Sequence, residues 1–144
     1  MNDLKYTVSH IVKNQNRSND MRGSILSIVD HNINNVSIIT CNKGSIRSNH
    51  YHKKDYHFMY VLYGEINYFF KKIDDQKVSF LKIKNNQTVF TPKLEIHATH
   101  FPVDTKLIVS SGFPRDKKTY EEDTVRVNFI NDQNIKSYMS KYDN

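Results

Sequence analysis

GSIRSNHYHKKDYHFMYVLYG, residues 44–64, holds three of the chain's seven histidines and two of its four glycines. His50 and His52 lie two apart, so an extended backbone puts both imidazoles on one face. Lys53-Lys54-Asp55-Tyr56 is a polar turn. His57 then opens an apolar run and shares a face with Met59, Val61 and Tyr63. The stretch reads as two strands joined by a turn, with three imidazoles around one end. Such a group binds a metal, moves a proton or decorates a turn.

The rest of the chain repeats the same grammar. Short β-like runs cover 24–29, 36–41, 58–62, 65–70, 78–83, 88–91, 97–101 and 106–110, punctuated by Asn, Asp, Gly and Pro. Tyr63-Gly64 reads as the turn of a hairpin. Tyr, Phe, Ile and Val dominate the runs, as a pleated surface prefers. Only Gln133 to Tyr142 has the pattern of a short helix. Strands at this spacing without intervening helices predict an all-β sandwich or barrel. Within that class, a double-sheet jelly roll hides most of its edges and encloses a pocket lined by alternate residues. The 144 residues predict one domain, 1–144, with a core over about 20–130.

Composition narrows the partners. One cysteine, Cys41, excludes an internal disulfide and a cysteine metal cage, and it reads as a small core residue. No run reaches the length of a membrane span and no apolar leader opens the chain, so a cytoplasmic protein without membrane contact is expected. The net charge is +6, but the basic residues are scattered and no nucleic-acid motif accompanies them. The positive field suits a small anionic ligand, and no nucleic-acid partner is expected.

A fourth histidine, His97, follows Pro92-Lys-Leu-Glu-Ile at the start of another β-like run. The chain here resembles a cupin. That family's first motif is Gly, five residues, His-X-His, three or four residues, Glu, six residues, Gly. The sequence runs Gly44, five residues, His50-Tyr51-His52, four residues, His57, six residues, Gly64, with His57 in place of the glutamate. In the second motif Pro92 and His97 match, while Leu94 and Phe101 replace Gly and Asn. Within the cupins, Arg47-Ser48-Asn49-His50-Tyr51-His52-Lys53 is similar to a segment of the nucleotide-sugar 3,4-ketoisomerases and of cupin domains in capsular-sugar biosynthesis, with Ser48 in place of a glycine. Asp20-Met21-Arg22-Gly23 resembles a segment near the start of dTDP-4-dehydrorhamnose 3,5-epimerases.

The resemblance implies a cupin jelly-roll β-barrel with a possible short C-terminal helix, assembled as a homodimer. It implies an isomerase or epimerase acting on a nucleotide-diphosphate sugar, by proton transfer next to a carbonyl, in deoxysugar or surface-glycan biosynthesis. His50 is then the expected base and His52 its partner, acid or donor, because imidazole titrates near neutrality. Tyr63 has the right parity to be a further acid. Arg22 and Arg47 are the expected diphosphate contacts, with His57 and His97 also lining the substrate site. The resemblance equally allows His50, His52, His57 and His97 to hold one divalent metal (Zn, Fe or Ni), although no cofactor is required. Alternatives are an iron-dependent, oxygenase-like cupin and a sugar-binding module without catalysis. His10 and His31 read as surface residues and His100 as structural. Tyr120 to Arg126 reads as a solvated turn followed by a strand, and Tyr68-Phe69-Phe70 as core and dimer surface.

Overall fold

A computed structural model describes residues 6–142. In chain order the strands are β1 (His10–Val12), β2 (Gln15–Asp20), β3 (Gly23–Ser27), β4 (Asn35–Cys41), β5 (Ile46–His52), β6 (His57–Tyr63), β7 (Ile66–Lys72), β8 (Ser79–Ile83), β9 (Thr88–Thr91), β10 (Glu95–His100) and β11 (Thr105–Ser111). The helix α1 (Lys117–Asp123), the strand β12 (Thr124–Arg126) and the helix α2 (Ile135–Ser140) follow. One five-stranded sheet has the order β1-β9-β6-β11-β4, the other β12-β5-β10-β7-β8. Among the described residues, no helix is long and apolar enough to cross a membrane.

The chain changes sheets repeatedly, and this corrects the expected hairpin. β6 lies in the first sheet and β7 in the second. Tyr63-Gly64 is therefore a crossing between sheets. The reason lies in the sequence: a hairpin with one solvated face alternates apolar and polar residues, whereas Phe58 to Val61 and Ile66 to Phe70 are buried on both faces. The inward set, including Met59, Val61, Tyr68, Phe70, Leu107 and Val109, fills the space between the sheets. Phe69 points the other way and packs with Ile96, Phe129 and Ile130 beneath Tyr138 and Tyr142. The predicted C-terminal helix thus covers the outer face at Phe69, which the sequence assigned to a dimer surface. Cys41 is buried core, as expected.

β2 and β3 form a separate two-stranded ribbon. β2 was not expected because QNRSND has neither β-formers nor apolar alternation. It extends by pairing with β3 from Gln15↔Ser27 to Asp20↔Gly23. His10 and His31 are half-buried rather than free on the surface: His10 lies 5.6 Å from the Phe90 ring and His31 stacks on Phe58 at 5.2 Å. His100 bonds Asn67 at 3.1 Å, in keeping with a structural role.

A bulge in β5 sets the direction of the histidines. His97 pairs with His50, but Ala98 pairs with Ser48, so Asn49 is the extra residue. Ser48 has φ 71° and Asn49 φ 57°, both left-handed. Asn49 is clipped there by Ile130, which accepts from Asn49 Nδ2 at 2.9 Å and donates its N–H to Asn49 Oδ1 at 2.9 Å. Ser48 stands where the ketoisomerase-like segment carries glycine, and its backbone is one that glycine adopts freely. Ser48→Gly should leave stability unchanged or raise it by up to about 1 kcal/mol, because relief of the left-handed penalty opposes the added unfolded-state entropy. Ser48→Val should cost at least about 2 kcal/mol, since a β-branched residue resists this conformation. Urea unfolding midpoints test the pair. Equal losses for both would remove the conformational argument.

Candidate active site

The structure gathers all four predicted histidines between the two sheets. β5 supplies His50 and His52, β10 supplies His97, and β6 brings His57 from the facing sheet. The His50 ring centroid lies 4.7 Å from those of His52 and His97, and His57 lies 5.3 Å from His97 and 5.8 Å from His52. All four are buried, His97 completely. They line or flank a cavity of about 100 Å³ bounded by Arg47, Ser48, Asp55, Arg115 and Tyr120. A larger groove of about 1050 Å³, with Tyr6, Tyr56, Phe90 and Leu94 in its walls, contains none of the four.

The imidazoles differ in their partners. His52 Nδ1 faces Asp123 Oδ2 at 3.3 Å and Thr124 Oγ1 at 3.4 Å. Burial pulls the His52 pKa down, and the Asp123 carboxylate opposes the fall. His97 Nδ1 donates to the Glu95 carbonyl at 3.1 Å, which leaves its Nε2 buried without a partner among the described residues. Burial pushes the His97 pKa down to about 3. His50 is pushed down to about 2 by burial and then by the charges of His97, His52, Arg126 and Arg115. Burial also holds His57 well below the ordinary range, and its Nδ1 has no partner among the described residues. Burial thus favours the neutral form throughout the cluster.

This donor set fits a divalent metal. One nitrogen each of His50, His52 and His97 lies within 4.8 Å of the others. The Glu95 carbonyl behind His97 and the Asp123 carboxylate behind His52 are the outer partners that metal-bound imidazoles commonly have. His57 faces these three from the opposite sheet, with its ring 5.3 Å from that of His97 and 5.8 Å from that of His52.

Three residues that the sequence reading left without a role complete the site. Asp123 ends α1 and Tyr120 sits one turn earlier, with its ring 5.7 Å from His52 and 6.3 Å from His50. The segment read as a solvated turn is this helix, started by Asp116, whose carboxylate accepts the Thr119 N–H at 3.0 Å. β12 then pairs Thr124 with His52, which docks the helix end against the imidazole. Asp55 is the third. Its carboxyl accepts the N–H groups of Tyr56 and Phe113 at 2.8 and 3.1 Å, and burial pushes its pKa up to about 6.

Two predicted residues are elsewhere. Tyr63 shares parity with His57, but it lies six residues further along β6, about 20 Å away at the rise of a strand. It is exposed and lies beneath the Lys106 ammonium. Arg22 is on the β2–β3 turn, its side chain 88% exposed and bonded to Asp20 at 2.7 Å. It does not line the cavity, whereas Arg47 does.

Known structures share this architecture. A 3,4-ketoisomerase from Helicobacter canadensis is 18% identical, with a TM-score of 0.69 over 84% of this chain and 92% of that one. A sugar 3,4-ketoisomerase from Thermoanaerobacterium thermosaccharolyticum, solved in complex with TDP, is 20% identical, with a TM-score of 0.68 over 96% and 99%. The capsular polysaccharide assembling protein CapF from Staphylococcus aureus is 18% identical, with a TM-score of 0.61 over 82% of this chain and 33% of that one. At these identities the likeness is one of fold, the cupin jelly roll. Comparison with curated proteins gives no match. Residues 18–110 match the model of the polysaccharide biosynthesis C-terminal domain. The chain belongs to that family.

Proposed function

We propose that the chain is a 3,4-ketoisomerase of a nucleotide-linked 4-keto-6-deoxy sugar. The observation that carries this reading is the buried His50–His52 pair, with a carboxylate behind one member only. A proton α to a ketone needs a base that is neutral at rest and able to hold the proton once taken. His52 has both properties, because Asp123 favours its charged form while burial keeps it neutral. His50 has no such carboxylate and is surrounded by other imidazoles. The base therefore moves from His50, the sequence expectation, to His52, with His50 directing the substrate's oxygens and Tyr120 the nearest tyrosine acid.

The neighbours' ketoisomerase activity, and the TDP held by one of them, support this substrate class. A homodimer fits Val36 and Ile38, which are 62% and 70% exposed on the edge strand β4. A nucleotide sugar as substrate fits a cytoplasmic enzyme.

A second reading is favoured by the partnerless nitrogens of His57 and His97. His50, His52 and His97, with His57 facing them from the other sheet, would hold one Zn, Fe or Ni ion. Such an ion would polarise the substrate carbonyl as a Lewis acid.

The test is solvent exchange. The protein is incubated in D2O with TDP-4-keto-6-deoxyglucose, and the C3 and C5 protons are followed by NMR, with and without chelator. Loss of the C3 signal with appearance of a 3-keto product is expected, unchanged by chelator. Loss at C5 as well would assign an epimerase. Loss abolished by chelator would favour the metal reading, and no exchange would reject both isomerase readings.

A further inference from the structure

The chain has five arginines. Three are neutralised at the surface: Arg17 by Asp30, Arg22 by Asp20 and Arg126 by Glu121. The other two, Arg47 and Arg115, make no ion pair among the described residues, and both line the histidine cavity. Among the described residues, one carboxylate lies in the cavity wall, that of Asp55, and it accepts backbone N–H groups. A cavity whose wall carries two guanidiniums, one carboxylate and neutral imidazoles has positive charge to offer an anion.

The two arginines are placed differently. Arg47 is exposed at the rim, with Nη2 donating to the Thr40 carbonyl at 3.2 Å. Its charge reaches Cys41. Arg115 is half-buried in the loop between β11 and α1, with its guanidinium 5.1 Å from the centroid of the Tyr120 ring. Its charge reaches His50, His52 and His57. It stands with the proton-moving groups, held beside the Tyr120 ring by a cation–π contact.

We propose that Arg115 binds the carbonyl oxygen of the keto sugar and stabilises the enolate, leaving the diphosphate to Arg47. This rests on the isomerase reading above. In the step concerned, the imidazole takes the proton from the carbon next to the ketone. The C–H electron pair becomes the carbon–carbon double bond. The carbonyl π pair moves to oxygen, which carries the negative charge until a carbon is reprotonated. No electron leaves or enters. The guanidinium donates to that oxygen most strongly when the charge is fullest, so its contribution falls on kcat rather than on ground-state binding.

The experiment compares wild type, Arg115→Lys and Arg115→Gln by deuterium exchange into TDP-4-keto-6-deoxyglucose and by calorimetric titration with TDP alone. Arg115→Gln is expected to lower exchange about 10²–10³-fold, as for loss of one oxyanion donor, with TDP affinity within about twofold of wild type, because TDP lacks the keto sugar whose oxygen Arg115 would bind. Arg115→Lys, which keeps the charge, should recover part of the rate. Thermal melts establish that each variant is folded, and TDP binding reads the site independently of turnover. A fall in TDP affinity with exchange retained would make Arg115 a phosphate ligand and overturn the proposal. Unchanged exchange and affinity would overturn it also. A wild-type chain that binds TDP without exchanging protons would reject the isomerase reading and this role with it.

Discussion

Asp123→Asn is expected to lower the exchange rate by about 10²–10⁴-fold, the usual range for loss of a positioned base or its orienting carboxylate. Asp123 does three things at once. Its Oδ1 accepts the Lys54 N–H at 2.7 Å, and its Oδ2 accepts the Asp55 N–H at 3.1 Å. The same Oδ2 faces His52 Nδ1 at 3.3 Å. A carboxylate keeps the proton of neutral His52 on Nδ1, which leaves Nε2 free to take the substrate proton. An asparagine amide has one acceptor. If its oxygen stays on Lys54, its NH2 group points at His52 Nδ1 and favours the other tautomer, which has no lone pair on Nε2. It also sets a donor against the Asp55 N–H, so some stability is lost, about 1–3 kcal/mol for an unsatisfied buried group.

The pH profile separates the catalytic loss from the structural one. The base works when neutral, so the rate falls as pH drops through the His52 pKa. Burial already places that limb below the ordinary histidine value, and Asp123 resists the fall. Removing Asp123 must therefore move the limb to lower pH while the plateau drops. His52→Asn should lose the plateau without leaving a histidine limb. A plateau unchanged in folded Asp123→Asn would mean that His52 is not the base, and would return the assignment to His50.

His50, His52 and His57 were legible because a strand's period of two and a polar turn decide which way each side points. His97 was legible from its place after Pro92 within the cupin pattern, and the structure pairs it directly with His50. Tyr63 shows the limit of that logic. Parity gives the face of a strand but not the depth along it, and β6 carries Tyr63 out of the far end of the barrel. Asp123, Tyr120 and Arg115 lie more than fifty residues from His57. No spacing rule links them to it, because the link is the pairing of β12 with β5. A local signal existed: Asp116 three residues before Thr119 is a helix start, and a helix would have turned Tyr120 and Asp123 toward one side. Arg22 looked promising through a sequence similarity, but an Asp two residues away satisfies it.

Gly64→Ala should be among the most damaging substitutions outside the site, and Gly44→Ala, at the other end of the same motif, should be mild. Both glycines have left-handed backbones, φ 106° at Gly64 and φ 85° at Gly44. That alone costs an alanine about 1–2 kcal/mol. The surroundings then separate them. A Cβ on Gly64 would stand 2.2 Å from Thr105 Oγ1 and 2.7 Å from Thr105 Cα, whereas one on Gly44 meets nothing within 4 Å. Thr105 cannot step aside. It is fully buried, and its hydroxyl donates to the Val103 carbonyl at 2.9 Å. Its backbone is the first residue of β11, paired with Cys41. Moving it would shift the strand that also holds β6 and its His57 through the Ser111↔His57 pair. Overpacking of this kind adds about 1–3 kcal/mol. The expected total for Gly64→Ala is about 3 kcal/mol or more, against about 1–2 for Gly44→Ala. Urea unfolding of both variants measures the difference. Equal losses would show that the left-handed backbone alone makes these positions glycine, and that β11 yields at Thr105.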